Sequence, residues 1–418
     1  MLAGAAFVLS VAAYWYLIVS HTGSWSHTDE WVYRAAGALT RRHPASLYDV
    51  RLSAPGQQQL PFTYPPFAAS IFAILSPFSF GAWQLALVML DMALLPIIGY
   101  LCLRHGDMSG SRRVASALAL ASVALWLEPV YMTMFFGQIN LILLALVVAD
   151  LALPDSNRFK GVGIGIAAGI KLTPLIFVPY LFASRRMRAA GVALLSFATT
   201  IVMGFVTLPA ASTAYWGGRF ITPGDGPGRL VDQSLNGTFQ RLLHGHGFLL
   251  PMSIIAAMVV TGCVGLSVAT IASRRNMELL GLVMCGVTGL LLSPISWSHH
   301  WVWVIPGLAL MLCGGRATAG RRALGTAVLL GLFIMWPTPR TSNGITRWLP
   351  GGWLRLVPHD GRKEYSWHGA DLVFGNYYVL TGLFAIALCA AWLSTIRTPG
   401  PISPADPSVE SSKFLELR

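Results

Sequence analysis

Apolar runs of bilayer length recur from one end of this 418-residue chain to the other, and no other feature constrains its fold more. Hydrophobic residues make up 55% of the sequence, and only 11% of residues are charged, whereas soluble proteins carry about 25% charged residues. Within lipid, only helices and closed barrels satisfy all their backbone polar groups internally. Because the apolar runs are continuous rather than alternating, they exclude a barrel and predict an all-α polytopic membrane protein.

The positive charge of the chain is distributed in a way that orients it in the membrane. A net charge of +12 could suggest a nucleic-acid partner, but the basic residues form short clusters between apolar runs. Such clusters mark the cytoplasmic ends of membrane spans, so we expect membrane lipids as partners and no nucleic acid. The main clusters are Arg104, Arg112 and Arg113; Arg158 and Lys160; Arg185, Arg186 and Arg188; Arg274 and Arg275; and Arg316, Arg321 and Arg322.

These markers predict one transmembrane catalytic domain over residues 1–396, in the plasma membrane, with about ten crossings. The number rises to twelve if two short apolar pieces, 66–76 and 161–182, insert as full helices. The tail 397–418 is rich in Pro and Ser and is predicted to be disordered and cytoplasmic. All the polar, aromatic-rich loops then fall on the extracytoplasmic side, as expected for an enzyme acting there: 21–64, 128–136, 210–247, 294–297 and 338–375.

The piece 161–182 has basic clusters at both ends and several glycines and prolines, which predicts a broken helix that enters the membrane and returns. Broken backbone at membrane depth is tolerated where it is buried in protein or lines a cavity. Lys171 lies inside this piece, and an ionisable residue there is a candidate functional residue. The alternative is that its side chain extends to the nearest interface.

The first outer loop carries an acidic pair, Asp29 and Glu30, close to the bilayer in a chain with few charges. One interpretation is that this pair supplies a general base at the membrane surface. The alternative is that its carboxylates are merely solvated in a loop. The residues that follow Asp29 have helical spacing and predict a helix on the membrane surface. The five cysteines show no metal or disulfide spacing, and we predict neither a metal nor a cofactor.

Several segments in order along residues 25–380 resemble one known family. Together they are similar to the polyprenol-phosphate-sugar-dependent GT-C glycosyltransferases, in particular the actinobacterial α-(1→2)-mannosyltransferases of glycosyltransferase family 87. Each segment alone is a weak signal, and the series is a strong one. The segments are Asp29-x-x-Val32-Tyr33, Leu47-Tyr48-Asp49, Phe62-Thr63-Tyr64-Pro65-Pro66-Phe67, Phe135-Phe136-Gly137-Gln138-Ile139-Asn140, Lys171-Leu172-Thr173-Pro174, Asp232-Gln233-Ser234-Leu235-Asn236-Gly237 and Leu292–Trp301.

This resemblance implies a GT-C fold and an inverting transfer of mannose. The donor would be β-linked polyprenyl-phosphate-mannose and the acceptor a glycolipid on the extracytoplasmic side. Members that resemble this chain act on phosphatidylinositol mannosides, the acceptor we favour, or place α-(1→2) branches on lipomannan and lipoarabinomannan. The topology alone would also permit a transporter of lipids or solutes, although the sequence shows no internal repeat of the kind that transporters carry.

The resemblance also gives roles to individual residues. Inversion in one displacement needs one base and no covalent carboxylate, and in GT-C enzymes that base lies early in the first outer loop. Asp29 occupies the position, with Glu30 as its competitor. The phosphate leaving group needs cationic or hydrogen-bonding partners, for which Lys171 is the best candidate.

His299 and His300 are further candidates for binding the donor phosphate. Adjacent residues on a helix point about 100° apart, so only one of the two is expected to face the site. The alternative is packing in an interfacial aromatic belt, and metal binding is the weakest option.

A last group of residues could bind the sugars or the acceptor. For each the alternative is a structural role, such as interfacial anchoring or the capping of a loop. These residues are Glu30, Tyr33, Tyr64, Gln233, Asn236 and Trp297.

Overall fold

The computed structural model describes residues 2–16, 27–53, 59–221, 228–313, 318–342 and 345–396. The predicted tail 397–418 lies outside these residues. Helices dominate, as the apolar runs predict, and the all-α polytopic class is confirmed. The helices are α1 (Leu2–Tyr14), α2 (Thr28–Arg42), α3 (Pro66–Leu75), α4 (Phe80–Leu103), α5 (Gly110–Ala124), α6 (Glu128–Phe136), α7 (Asn140–Leu151), α8 (Val162–Ile170), α9 (Phe177–Ala183), α10 (Met187–Thr207), α11 (Pro209–Trp216), α12 (Leu235–Leu242), α13 (Leu249–Arg274), α14 (Glu278–Leu292), α15 (Val304–Leu312), α16 (Ala319–Phe333), α17 (Ala370–Phe374) and α18 (Tyr377–Thr395).

Within the described ranges, four helices are long and apolar enough to cross a bilayer on their own: α4, α10, α13 and α18. Helices α6 and α7 together are also long and apolar enough, but they are bent by 120° relative to each other, as in a broken span or a re-entrant loop. Shorter apolar helices, including α1, α3 and α14, accompany them. The predicted number of ten to twelve crossings stays a prediction, because length and composition identify only the longest spans.

Helix α2 is amphipathic, as predicted for the segment after Asp29. Its buried side includes Val32, Tyr33 and Ala36, and four of its five charged residues lie in the first and last turns. Gly37 lets α2 approach α3 closely, since a Cβ there would come within 2.3 Å of the Phe72 carbonyl oxygen. The helix therefore lies firmly on α3, with Asp29 in its first turn.

The turn between α6 and α7 is the first break that shapes the site. Residues 128–136, which the sequence analysis treats as a loop, instead form α6. The helix ends at Gly137, whose backbone is left-handed with φ 67°, and a Cβ there would come within 2.7 Å of Glu30 Cβ. Glycine thus allows both the sharp bend and the close approach of this turn to α2.

The second break lies at Lys171, as the glycines and prolines of 161–182 predict. Helix α8 ends there in extended backbone, a 3₁₀ turn follows over Thr173–Ile176, and α9 continues the chain. The carboxylate of Asp150 accepts hydrogen bonds from three backbone N–H groups at the start of α8. Glycines at a spacing of four face α10, where a Cβ would meet its backbone or a side chain: Gly161, Gly165 and Gly169.

Two small antiparallel sheets lie among the loops, and the sequence analysis predicts neither. One pairs β1 (Arg51–Leu52) with β2 (Leu60–Pro61), and the other pairs β3 (Trp336–Ser342) with β4 (Ile345–Gly351). The second hairpin occupies part of the predicted irregular loop 338–375. Similarly, the predicted apolar segment 298–314 begins as a 3₁₀ helix over Ser298–Trp303 before α15 starts.

Candidate active site

Asp29 lies partly exposed at the start of α2, and one of its two carboxylate oxygens is bound. The side-chain N–H of Gln138, just after the α6 turn, donates to Asp29 Oδ2 at 2.7 Å. Among the described residues, Asp29 Oδ1 has no hydrogen-bond partner. The carboxylate is therefore anchored through one oxygen and open through the other.

Two buried tyrosines complete the support of Gln138. The hydroxyls of Tyr33 and Tyr64 lie 2.8 and 3.0 Å from Gln138 Oε1 and 2.7 Å from each other. Burial raises the pKa of both tyrosines above the ordinary value, so both hydroxyls keep their protons. Tyr33 and Tyr64, predicted as substrate-binding residues, thus come together with Asp29 but use their hydroxyls within the protein.

The protonation of Asp29 reflects two opposing effects. Burial raises the pKa of Asp29 to about 6, while the N–H of Gln138 and the charge of Lys171 act against that rise. At neutral pH the carboxylate is mostly ionised, and its proton affinity is higher than that of an exposed aspartate. These are the properties of a general base.

Lys171 lies on the other side of the site, at the break after α8. Its Nζ lies 2.9 Å from His300 Nε2 and 3.3 Å from Asn140 Oδ1, and 5.5 Å from the ring centroid of Tyr64. Lys171 and Asp29 also attract each other electrostatically. An ammonium group held by His300 and Asn140 thus lies near enough to Asp29 to act on its charge.

The two histidines have different surroundings, as expected for neighbours on a helix. His300 is partly exposed and bonded to Lys171, whereas His299 is only 5% exposed. The carbonyl of His299 accepts hydrogen bonds from Thr133 and Asn140, and its Nε2 is buried without a partner among the described residues. His300 is therefore the histidine that the structure brings to Lys171.

Glu30, the competitor of Asp29, points away from this space. Its side chain is fully buried, and its Oε2 lies 2.6 Å from Nδ1 of His27. Burial raises the pKa of Glu30, and the contact with His27 acts against that rise. With no access to solvent, Glu30 is poorly placed to take a proton from a substrate.

Three other predicted substrate-binding residues lie apart from Asp29, in the contact between segments 228–242 and 294–301. Gln233 is fully buried and donates to the carbonyls of Leu230 and Gly375, each at 2.7 Å. Asn236 donates to the carbonyl of Pro294, and the backbone of Trp297 pairs with that of Asp232. Their polar groups therefore hold these segments together. This favours a structural role for the three residues over contact with the sugars or the acceptor.

A cleft extends from Lys171 and His300 into the apolar part of the protein. Its walls come from α7, the 3₁₀ turn after Lys171, the start of α9, α14 and the 3₁₀ helix Ser298–Trp303. Apart from a few polar groups at the Lys171 end, the side chains in the walls are apolar, and they include Leu143, Leu144, Val147, Ile176, Phe177 and Leu290. The cleft therefore combines a cationic group with mostly apolar walls.

Gln138 and Asn140 are site residues to which the sequence pattern alone gives no role. Both stand in the quoted segment Phe135–Asn140, so the signal was present in the pattern. Their partners lie far away in sequence, however: Gln138 meets Asp29 across 109 residues, and Asn140 meets His299 across 159. Only the bend between α6 and α7 shows why both amides face the site.

Comparison with known proteins gives matches over most of the chain. The profile of glycosyltransferase family 87 matches residues 62–294. A relative from Mycobacterium tuberculosis is 32% identical over 81% of this chain and 78% of its own length. It is named a polyprenol-phosphate-mannose-dependent α-(1-2)-phosphatidylinositol mannoside mannosyltransferase. A relative from Mycolicibacterium smegmatis is 33% identical over 69% of this chain and 70% of its own length, and is named a pentamannoside mannosyltransferase of the same kind. No solved structure matches.

Proposed function

Because this chain belongs to glycosyltransferase family 87 and is a membrane glycosyltransferase, we propose that it is an inverting α-(1→2)-mannosyltransferase. It moves mannose from polyprenyl-phosphate-mannose to a phosphatidylinositol mannoside at the extracytoplasmic face of the plasma membrane. The observation that carries this proposal is a carboxylate that is bound through one oxygen and interacts electrostatically with a lysine. Asp29 has one oxygen without a hydrogen bond among the described residues, and Lys171, which is bonded to His300, acts on the charge of Asp29.

The proposed reaction is a single displacement. Asp29 Oδ1 takes the proton from the acceptor 2-hydroxyl as that oxygen forms a bond to C1 of the donor mannose. The bond between C1 and the phosphate oxygen breaks, and the electron pair leaves with the polyprenyl phosphate. The β linkage of the donor becomes an α linkage in the product, so no enzyme carboxylate forms a covalent bond.

Lys171 and His300 stabilise the leaving phosphate. The charge on the departing oxygen grows in the transition state, and a cation already fixed at that place interacts with it most strongly there. Asn140 holds the Lys171 ammonium from one side and the His299 backbone from the other. The phosphate therefore meets groups that need little rearrangement.

The apolar cleft beyond Lys171 suits the prenyl chain of the donor. A polyprenyl phosphate is a charged head on a long hydrocarbon, and the cleft likewise joins a cationic group to apolar walls. Burying isoprene units stabilises the bound donor by about 25 cal/mol per Å² of apolar surface removed from water.

Names of relatives support the acceptor class. Those reported above are named for phosphatidylinositol mannosides, in one case the pentamannoside. The basic clusters, which mark the cytoplasmic ends of spans, support an active site on the opposite face.

The test is transfer from radiolabelled polyprenyl-phosphate-mannose by the purified protein to a panel of acceptors, followed by linkage analysis of the product. We expect α-(1→2)-linked mannose on phosphatidylinositol mannosides. Asp29→Asn should lower kcat by about 100- to 10,000-fold, because general-base catalysis contributes that much. Its thermal unfolding should match that of the wild type.

The matched control is Asp49→Asn. Asp49 lies in the same predicted loop but is exposed, and it pairs only with the exposed Arg219 among the described residues, so we expect normal activity. Wild-type activity in Asp29→Asn would contradict the assigned base. Equal transfer from a nucleotide sugar without lipid donor would contradict the assigned donor, transfer only to lipomannan would contradict the acceptor, and movement of labelled lipid without transfer would indicate a transporter.

A further inference from the structure

The carboxylate of Asp29 is oriented by a chain of hydrogen bonds that starts behind it. Gln138 is 4% exposed, so its amide group cannot exchange partners with solvent. Its nitrogen faces Asp29 Oδ2 and its oxygen faces Tyr33 and Tyr64. The direction of each hydrogen bond in this chain can therefore be worked out from the chemistry of the groups.

The hydroxyls determine which end of the amide points at Asp29. Each tyrosine has one hydroxyl proton, and the carbonyl oxygen of Gln138 can only accept. The three oxygens lie within 3.0 Å of one another and share only the two hydroxyl protons. Only one proton fits between the two hydroxyls, so at least one of the two protons points to Oε1. With Oε1 occupied in this way, the N–H of Gln138 remains for Asp29, and an ionised carboxylate accepts it.

We propose that Gln138 is the positioning residue of the Asp29 base, held in its working orientation by the paired hydroxyls of Tyr33 and Tyr64. This inference rests on the proposed function of Asp29. It assigns different roles to the two carboxylate oxygens: Oδ2 is the anchor, and Oδ1 is the oxygen that receives the proton. It also gives Tyr33 and Tyr64 a role behind the site instead of contact with the sugar.

The backbone supports the same arrangement. Gln138 follows the left-handed Gly137, and its backbone N–H donates to the carbonyl of Thr133 at 2.8 Å. The carbonyl of Phe135 accepts from the backbone N–H of His27, two residues before Asp29, at 3.0 Å. The amide and the carboxylate are thus carried by two backbone segments that are bonded to each other.

The central experiment replaces Gln138 with Met, which keeps the length of the side chain and removes its N–H. A hydrogen bond to a charged group contributes enough that its loss should lower kcat by about 10- to 100-fold. Without that N–H the ionised form of Asp29 is less favoured. The acidic limb of the pH–activity profile should therefore move to higher pH, while KM for the lipid donor stays the same.

Substitution of the tyrosines gives a second test, which stays informative even if Gln138→Met does not fold. In Tyr33→Phe or Tyr64→Phe one hydroxyl still points to Gln138 Oε1, so the pH profile should shift little. The double variant leaves Oε1 without a donor and frees the amide to turn over, so its shift should exceed the sum of the single shifts. Tyr48→Phe is the matched control, because its hydroxyl donates to the Tyr64 carbonyl instead of to Gln138.

The inference is overturned if Gln138→Met keeps the wild-type profile, or loses activity at every pH equally, as a merely structural residue would. It is also overturned if the double tyrosine variant shifts no more than the two single variants combined. These failures differ from failure of the proposed function, which would show as full activity of Asp29→Asn with intact Gln138.

Discussion

Three aspartates stand in the quoted segments of this chain. Asp49 is exposed, whereas Asp29 and Asp232 are enclosed to different degrees and have different surroundings. Asp29 is partly exposed, with one oxygen bound by Gln138 and the other open. Asp232 is fully buried, and its oxygens face the backbone N–H groups of Ser296 and Gly228. Each has a cation as an electrostatic partner, Lys171 for the first and Arg241 for the second.

The difference separates a reactive carboxylate from a structural one. Arg241 is fully buried and bonds to Asn376 and to the carbonyl of Arg229, so its hydrogen bonds join segments distant in sequence. Burial lowers the pKa of Arg241 to about 10, with Asp232 acting against that change. A carboxylate in such a place contributes to stability, whereas proton transfer needs a carboxylate oxygen that a substrate can reach.

The largest expected effect falls on the structural region. Arg241→Met removes the buried donor to Asn376 and to the Arg229 carbonyl, and it removes the cation that acts electrostatically on Asp232. Each buried polar group left unsatisfied costs about 1–3 kcal/mol, and a charged group costs more. Thermal unfolding in detergent should show that loss, while the exposed pair in Arg219→Met, with Asp49, should cost about 0–1 kcal/mol. If Arg241→Met unfolds like the wild type but is inactive, the assignment of Asp29 as reactive and Asp232 as structural is wrong.

On the site's cationic side, Lys171→Met should affect catalysis and leave stability unchanged. Loss of one group that stabilises charge in the transition state costs about 100- to 1,000-fold in kcat. The measurement is steady-state transfer at saturating lipid donor, with Arg158→Gln as the control, because Arg158 is an exposed basic residue on the same stretch of chain. A loss equally large in the control would point to a general effect of charge.

The membrane fold and the break at Lys171 could be predicted from sequence because their signals are local. Apolar runs identify spans, and glycines and prolines interrupt helices. The signal for Asp29 is local too, because it is a charged residue beside a membrane segment and stands in a short family motif.

The partners of Asp29 could not be predicted, because they come from distant parts of the chain. Gln138, Gln233 and Asn236 are all side-chain amides in quoted segments, and composition cannot say which of them faces Asp29. That depends on the 120° bend between α6 and α7 for Gln138, and on the buried contacts of segment 228–242 for the other two.

Changing the pH tests Asp29 without mutation. A base acts in its ionised form, and the pKa of Asp29 is raised by burial to about 6. Activity should therefore be constant above about pH 7 and fall tenfold per pH unit well below 6. A rate–pH profile at saturating substrates measures this, and Asp49→Asn should leave it unchanged. An acidic limb near pH 4, the value of an exposed aspartate, would show that burial does not act on the working base.

The smallest effect is expected at the neighbouring Glu30. Glu30→Gln keeps the shape of the side chain and its contact with His27, and the change affects a group with no access to solvent. Its activity should fall by less than about tenfold, the equivalent of one altered hydrogen bond. Transfer assays on Glu30→Gln and Asp29→Asn side by side make the comparison direct. Should Glu30→Gln prove the more damaging variant, the base would have to be Glu30, reached through a movement of α2 that exposes its carboxylate.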